Sequence, residues 1–296
     1  MKNDRYQSLL ITLFLLICLL APQAARAAEK HFLWRATADD STVYLLGSIH
    51  VMKRDAYPLS TVIERAFDES DTLAVEADIN NVGHGTLKML RRAGFYDPND
   101  SLANHITRNT YSYVAEEAAR LGLPAPVLNR HKPWFLGITM SSMELMRSGY
   151  DMKYGIDKYF LTRASGRKKI VELESMEYQV DLLASLPESE QESFLLYTTK
   201  DLRSIGEQVD ALMAAWRTGD ADRIESILMR SIENDGRFRM VYKKIMTDRN
   251  RNMTKRISTY LKSGGRVFVV VGAGHMVGDE GIIELLRKEG YRVDQL

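Results

Sequence analysis

The stretch Val-Tyr-Leu-Leu-Gly-Ser-Ile-His at residues 43–50 has a counterpart near the other end of the chain, Val-Phe-Val-Val-Val-Gly-Ala-Gly-His at residues 267–275. Each is an apolar run that ends in Gly-x-x-His, which is typical of a buried strand followed by a sharp turn. The turn leaves His50 or His275 at the carboxyl edge of its strand, where open α/β sheets bind their ligands. Because both runs end in the same way, we expect the two histidines to share one site. The alternative is two strand-end histidines that only pack.

Other strand signals also cluster toward the two ends of the chain. Each is a short apolar run that contains β-branched or aromatic residues and is bounded by polar residues. The polar segment 38–41 separates the first two runs, which predicts a hairpin. The predicted strands are 31–37, 42–46, 71–76, 168–173, 266–272 and 291–293.

Helical spacing of apolar residues dominates the rest of the chain. Ser60 is the predicted N-cap of a first helix, and Glu188, three residues after Ser185, predicts a capping box that starts another. Further helices are predicted at 104–121, 133–147, 156–164 and 278–290. The pattern indicates an α/β fold in which a central, mostly parallel sheet is built from both chain ends. A helical cap is inserted at about 84–165 and 185–261.

The first 27 residues have the features of a secretory signal. Lys2 and Arg5 give a positive start, and residues 9–20 form an apolar core too short to span a bilayer comfortably. Ala25-Arg26-Ala27 then supplies a cleavage pattern. We expect a single exported domain of residues 28–296, periplasmic or secreted and without a membrane span. An uncleaved anchor is the alternative.

The composition excludes several classes of function. The formal net charge of the chain is +1, so no basic excess exists to neutralise a nucleic acid. The one cysteine, Cys18, lies in the predicted signal. The exported domain therefore has no disulfide, no thiol nucleophile and no metal held by cysteine.

Histidines beside a carboxylate at a sheet edge suggest a metal ion. Two histidines and one carboxylate form a recurrent divalent site that leaves positions open for water. The best third ligand is Glu76, because it ends the strand-like run 72–76 and so has the same placement as His50 and His275. Asp78 could replace or assist Glu76. Metal-activated water would then make hydrolysis the natural reaction.

Hydrolysis also needs a base and a group that stabilises negative charge. Glu174 closes the run 170–173 and is the first candidate for the base, and Glu144 on a predicted helix is the second. Arg249 and Asn250 are adjacent residues that could hold a carboxylate or a developing oxyanion. The sequence pattern alone also allows the pair to be ordinary surface residues.

Six short motifs follow one another along the chain: Leu-Leu-Gly-Ser-Ile-His (45–50), Val-Glu-Ala-Asp (75–78), Lys-Pro-Trp (132–134), Gly-Ile-Asp (155–157), Asp-Arg-Asn (248–250) and Val-Gly-Ala-Gly-His (271–275). In this order they resemble the TraB/PrgY/GumN family, and in particular its exported bacterial GumN-like branch. The match covers nearly all of residues 28–296. The family includes the animal Tiki proteins, which are metal-dependent proteases with paired Gly-x-x-His motifs. It is distantly related to erythromycin esterases and to haem-binding ChaN-like proteins.

The resemblance implies an erythromycin esterase/ChaN-like fold and a metal-dependent hydrolase, with a peptide or protein as its substrate. The implied ion is divalent, Mn, Co or Zn, and the implied partners include no nucleic acid. Two alternatives stay open: a metal-free His/Glu hydrolase of esterase type, and a haem- or peptide-binding protein without activity. The implied metal ligands are His50, Glu76 and His275, and the implied catalytic residues are Glu174, Arg249 and Asn250.

Overall fold

Both ends of the chain contribute strands to one sheet. The computed structural model describes residues 30–233 and 241–296, so the predicted signal at residues 1–27 lies outside the described part of the chain. Six strands form the sheet in that part: β1 (Leu33–Ala38), β2 (Ser41–Ser48), β3 (Thr72–Val75), β4 (Lys169–Glu172), β5 (Gly265–Gly272) and β6 (Arg292–Gln295).

The order of the strands is β4-β3-β5-β2-β1-β6. The central pairs β2–β5, β5–β3 and β3–β4 are parallel, whereas β1 is antiparallel to both β2 and β6. Ser48 at the end of β2 is in register with Gly272 at the end of β5. The α/β fold with a mostly parallel sheet built from both chain ends is therefore confirmed.

Burial explains why these runs form central strands. In β5 every residue from Val267 to Gly272 is buried, and because consecutive side chains point to opposite faces, both faces are covered. The rings of Phe67, Phe160 and Phe268 pack against one another with centroids 4.9–5.5 Å apart. This aromatic cluster joins two helices to the sheet.

Twelve α-helices surround the sheet in the described residues. Helices α2 to α6 lie between β3 and β4, and α7 to α11 lie between β4 and β5. The helices are α1 (Thr61–Asp68), α2 (His84–Gly94), α3 (Arg108–Arg120), α4 (Ala125–Leu128), α5 (Pro133–Arg147), α6 (Ile156–Ala164), α7 (Met176–Ala184), α8 (Glu188–Lys200), α9 (Ile205–Arg217), α10 (Ala221–Glu233), α11 (Asp248–Ser263) and α12 (Ile282–Lys288).

Both predicted helices are present, but only one of the two predicted caps is confirmed. The hydroxyl of Ser60 accepts a hydrogen bond from Ile63 N at 3.3 Å, as an N-cap does. Ser185, in contrast, ends α7 and does not start a capping box. The start of α8 is set instead by Pro187, which precedes Glu188 and has no side chain that could cap the helix. The spacing of Ser185 and Glu188 therefore reflects two successive helices and not one cap.

No helix among the described residues combines the length and the apolar character that crossing a membrane would require. Several helices also pack against one another around apolar clusters that are separate from the core beside the sheet. One cluster joins α3, α5 and α8 through Val114, Met140 and Leu195, all of them fully buried. The buried side chain of Glu117 on α3 is paired there with Arg120 and Arg203.

The turn that carries His50 is pinned to the segment before α6. Ile156 N donates to Ile49 O at 3.1 Å, and Met52 forms a bridge with Asp151. Gly155 lies so close to this turn that a Cβ atom on it would be only 2.2 Å from the carbonyl oxygen of His50. The Gly-Ile-Asp motif thus begins with a residue that must lack a side chain.

We expect Gly155→Ala to lower the free energy of unfolding by about 1–3 kcal/mol, because two backbone segments would have to separate. Thermal unfolding followed by circular dichroism measures the effect. Gly85→Ala is the matched control, since a Cβ atom at Gly85 would meet nothing within 4 Å. Equal melting temperatures for the two variants would contradict this account of Gly155.

The ion pairs of Glu117 with Arg120 and Arg203 predict that stability depends on pH. Hydrogen bonds from Arg203 lower the pKa of Glu117 below its usual value of 4.5, although burial opposes them, and Arg120 adds to the effect. A lowered pKa in the folded state means that Glu117 contributes to the free energy of unfolding above about pH 4.5 and that this contribution is lost as the pH falls.

Glu117→Gln should therefore lower the free energy of unfolding by about 1–3 kcal/mol at pH 7, and by progressively less in more acidic solution. Urea titrations at pH 7, 4.5 and 3.5 measure the difference. The exposed neighbour Glu116, changed to Gln, is the control. The prediction would be contradicted if the free energy of unfolding of Glu117→Gln differed from that of the unmodified protein by the same amount at all three pH values.

Candidate functional site

The carboxyl ends of the four parallel strands β2, β5, β3 and β4 lie side by side at one edge of the sheet. Each strand is followed within three residues by a polar side chain. In the spatial order of the strands these are His50, His275, Glu76 and Glu174. Strand pairing continues past the strand ends, since Glu174 N donates to Glu76 O at 2.9 Å.

Three of these side chains surround one point next to Gly272. A Cβ atom placed on Gly272 would lie 3.3 Å from Glu76 Oε1, 3.4 Å from His50 Nε2 and 3.5 Å from His275 Cδ2. Glu76 Oε1 also accepts a hydrogen bond from Gly272 N at 2.6 Å, and it lies 3.9 Å from His275 Nε2. Because Gly272 has no side chain, a small space remains beside it, into which the side chains of His50, His275 and Glu76 project.

His50 is held by Asp157, the last residue of the Gly-Ile-Asp motif. His50 Nδ1 lies 2.8 Å from Asp157 Oδ2, and the hydroxyl of Ser48 donates to Asp157 Oδ1 at 2.8 Å. The negative charge of Asp157 raises the pKa of His50 to about 9, although desolvation opposes this shift. The imidazole side chain of His50 remains 62% exposed, so it is open to a ligand from solvent.

His275 is held by Asn250, and the ring is buried. His275 Nδ1 lies 2.5 Å from Asn250 Oδ1, while Asn250 Nδ2 donates to Glu280 O at 2.7 Å. Because Asn250 Oδ1 is an acceptor, the proton of the neutral ring is on Nδ1 and Nε2 is left unprotonated. Burial lowers the pKa of His275 to about 4, which favours this neutral form. Asn250 thus orients His275 through Oδ1, while its Nδ2 is anchored to the backbone of Glu280.

Arg249 connects the two carboxylates of the site. Its Nη2 atom donates to Glu76 Oε2 at 2.5 Å and to Glu174 Oε2 at 2.7 Å, and its Nε atom donates to Glu174 Oε2 at 2.9 Å. Burial alone would raise the pKa of Glu76, but His275, His50, Arg249 and the Gly272 amide together hold it at about 2. Glu76 therefore stays ionised although it is only 8% exposed.

The local helix geometry gives Arg249 and Asn250 their two different partners. A π-helical turn over Lys243–Thr247 directly precedes α11, and Arg249 Nη1 donates to Ile245 O at 3.2 Å. Such wide turns are frequent at functional sites. The two adjacent residues at the start of α11 thus contact different strand ends, Arg249 the carboxylates and Asn250 the histidine.

The residues present fit a divalent metal ion by donor type. His50 Nε2, His275 Nε2 and Glu76 Oε1 are two imidazole nitrogens and a carboxylate oxygen, and each ring has its other nitrogen held by an oxygen acceptor, as metal-bound histidines do. The donors are slightly too far apart, because 3.9 Å separates His275 Nε2 from Glu76 Oε1 whereas two donors on one ion stand about 3.0–3.5 Å apart. Accordingly, no three acidic, His or Cys side chains of residues 30–233 and 241–296 form a ready metal cluster.

Two other candidates from the sequence lie outside this space. Asp78 shapes the turn after β3, where its Oδ1 accepts from Asn80 N at 3.0 Å. Glu144 on α5 pairs with Arg120 at 2.6 Å in the helical layer. Of the two proposed bases, Glu174 is therefore the one that lies beside Glu76.

Gln179 on α7 is a site residue that no sequence pattern predicted. Its Nε2 atom donates to Glu76 Oε2 and to Glu174 Oε2, both at 3.2 Å. It lies five residues after Glu174 in a helix, where no strand end or motif marks it. Gln179 gives each carboxylate a second donor beside Arg249.

Comparison with known proteins finds relatives that match most of the chain. YbaP from Escherichia coli (strain K12) is 23% identical to this chain over 265 residues, which are 87% of this chain and 94% of YbaP. A protein of Treponema pallidum (strain Nichols) is 22% identical over 297 residues, covering 95% of this chain and 88% of that protein. No solved structure matches the chain. The family model of the TraB/PrgY/gumN family matches residues 32–295, and the chain belongs to this family.

Proposed function

We propose that this protein is a metal-dependent hydrolase that cleaves peptide bonds. The observation that carries the proposal is the convergence of His50 Nε2, His275 and Glu76 Oε1 on one point beside Gly272. The orientation of both rings supports it further, because Asp157 and Asn250 hold the Nδ1 atoms and direct Nε2 toward the shared space.

His50, His275 and Glu76 would hold the ion, which we propose to be Mn, Co or Zn. A bound divalent ion lowers the pKa of a water molecule and polarises the carbonyl oxygen of a substrate. Glu76 is ionised and needs no proton loss before it can bind a cation. The exposed ring of His50 provides the side on which water and substrate enter.

Glu174 is the proposed acceptor for the proton of the attacking water. Its carboxylate lies beside Glu76, and three hydrogen bonds from Arg249 and one from Gln179 fix its position. Arg249 is a positioning residue in this proposal, because its Nε and Nη2 atoms bind the two glutamates and not a substrate. Asn250 is a positioning residue for His275.

Peptide bonds are proposed as the substrate because the paired Gly-x-x-His motifs resemble those of the Tiki proteases. Residues 1–27 support export, so we propose that residues 28–296 act as one domain in the periplasm or outside the cell. The helical segments inserted between β3 and β4 and between β4 and β5 would shape access to the sheet edge.

A metal-free hydrolase is the second candidate, and the pairing of His50 with Asp157 favours it. A solvent-exposed histidine that is hydrogen-bonded to a carboxylate can accept a proton from water without an ion, once the pH exceeds its raised pKa of about 9 and the ring is neutral. Cleavage that survives exhaustive removal of metals would support this second candidate.

Metal content is the first test. The exported chain, residues 28–296, purified without a polyhistidine tag, should bind one divalent ion. His50→Ala should lower the metal content strongly, because one of the three proposed donors is lost. Plasma mass spectrometry of the dialysed protein measures the metal. His84→Ala is the control, since His84 is exposed at the start of α2 and is not among the side chains that surround Gly272. Equal metal content in the two variants would contradict the proposed ligand set.

The base is tested by a matched pair of glutamates. Glu174→Gln should keep the metal and lower turnover by about 10²–10⁴-fold, the usual contribution of a positioned general base. Glu144→Gln should leave turnover unchanged, because Glu144 pairs with Arg120 away from the site. A peptide library digested with added Mn, Co or Zn and read by mass spectrometry provides the assay. Turnover by Glu174→Gln at the level of Glu144→Gln would exclude Glu174 as the base.

A further inference from the structure

A wide cleft in the described part of the chain lies away from the sheet-edge site. It has a volume of about 790 Å³ and opens between α2, the segment 95–100 and the starts of α5 and α8. None of the residues that surround Gly272 lines it. The cleft therefore requires an explanation other than the proposed hydrolysis.

The cleft has an excess of positive charge, because five basic and three acidic side chains line it, whereas the whole chain is nearly neutral with a formal net charge of +1. Two of its three acidic residues are paired with a histidine, because Asp100 and Glu188 each lie 2.8 Å from a ring nitrogen of His105. Asp97 is the third acid of the lining. The basic residues of the lining are Lys88, Arg91, Arg92, Arg130 and Lys132.

Three of these cations lie on one face of α2. Lys88, Arg91 and Arg92 follow the i, i+3, i+4 spacing that places helical side chains next to one another. All three are exposed, and no ion pair engages them within the described part of the chain. Like charges at this spacing repel, so a bound anion would relieve the repulsion.

Arg130 and Lys132 add positive charge from a second segment, and Tyr96 holds both near the cleft. The guanidinium of Arg130 donates to Tyr96 O through Nη2 at 2.7 Å, and Lys132 Nζ lies 5.9 Å from the centre of the Tyr96 ring. The ring of Tyr96 stacks on His105 at 4.3 Å. Arg130 is thus fixed by the backbone of Tyr96, and Lys132 lies near the Tyr96 ring.

The helix dipole does not account for this set of charges. Arg91 and Arg92 are in the last turn of α2, where cations are favourable in any protein. Lys88 lies before that turn, and Arg130 and Lys132 belong to another segment that faces the same cleft. A shared anionic ligand explains all five positions together.

We propose that this cleft binds a small multivalent anion, a molecule with at least two carboxylate or phosphate groups. Guanidinium and ammonium groups form charge-assisted hydrogen bonds with both kinds of group. A volume of about 790 Å³ is large enough for a small molecule with several charged groups. The proposal does not depend on the proposed hydrolase activity.

Calorimetric titration of the purified chain at low ionic strength tests the proposal. Tricarballylate is the carboxylate probe and trimetaphosphate is the phosphate probe. We expect saturable binding of at least one of them at one site per chain. Binding of one probe alone identifies the anionic group that the cleft prefers, and binding of both supports the shared chemistry.

The variants Lys88→Gln and Arg91→Gln should each weaken binding by about 10-fold, because each removes one charge-assisted contact. Arg108→Gln is the matched control, since Arg108 is an exposed arginine on α3 that does not line the cleft. Absence of saturable binding for both probes would overturn the proposal. Equal weakening by Arg108→Gln would also overturn it, because binding would then follow the overall charge and not the cleft.

Discussion

The ion pairs that Arg249 makes with Glu76 and Glu174 are the interaction on which the site depends. The two carboxylates end neighbouring strands and are both nearly buried, so without a cation between them they would repel or take up a proton. Arg249 removes this conflict and at the same time fixes the start of α11 against the sheet edge. Since Asn250 follows directly, the same contact also sets the position of His275.

The parallel sheet supplies the rest of the arrangement. Adjacent parallel strands end at the same edge, so β2 and β5 bring together residues that are more than 200 positions apart in the sequence. Gly47 and Gly272 lie at the carboxyl ends of these strands, and the structure shows close approach at both. A Cβ atom on Gly47 would lie 2.2 Å from the ring of Phe32, and one on Gly272 would meet the site itself.

Sequence patterns predicted those parts of the structure that follow from strand ends. The placement of His50, His275, Glu76 and Glu174 at one edge follows from apolar runs and from the rule that parallel strands end together. The partners of Arg249 and Asn250 could not be predicted, because the face of a helix that meets a sheet depends on the packing of the whole chain. Gln179 was missed for the same reason. The two histidines are also held in different ways, the exposed ring of His50 by the carboxylate of Asp157 and the buried ring of His275 by the amide of Asn250, which the identical Gly-x-x-His motifs do not reveal.

The central claim is that His50, His275 and Glu76 surround one divalent ion. The most direct measurement is a crystal structure of the mature protein equilibrated with Mn, Co and Zn in turn, with data collected on both sides of each absorption edge. We expect one anomalous peak bonded to both histidine Nε2 atoms and to a Glu76 oxygen, at about 2.0–2.2 Å for zinc. A peak at another position, or no peak beside Gly272 with any of the metals, would contradict this claim.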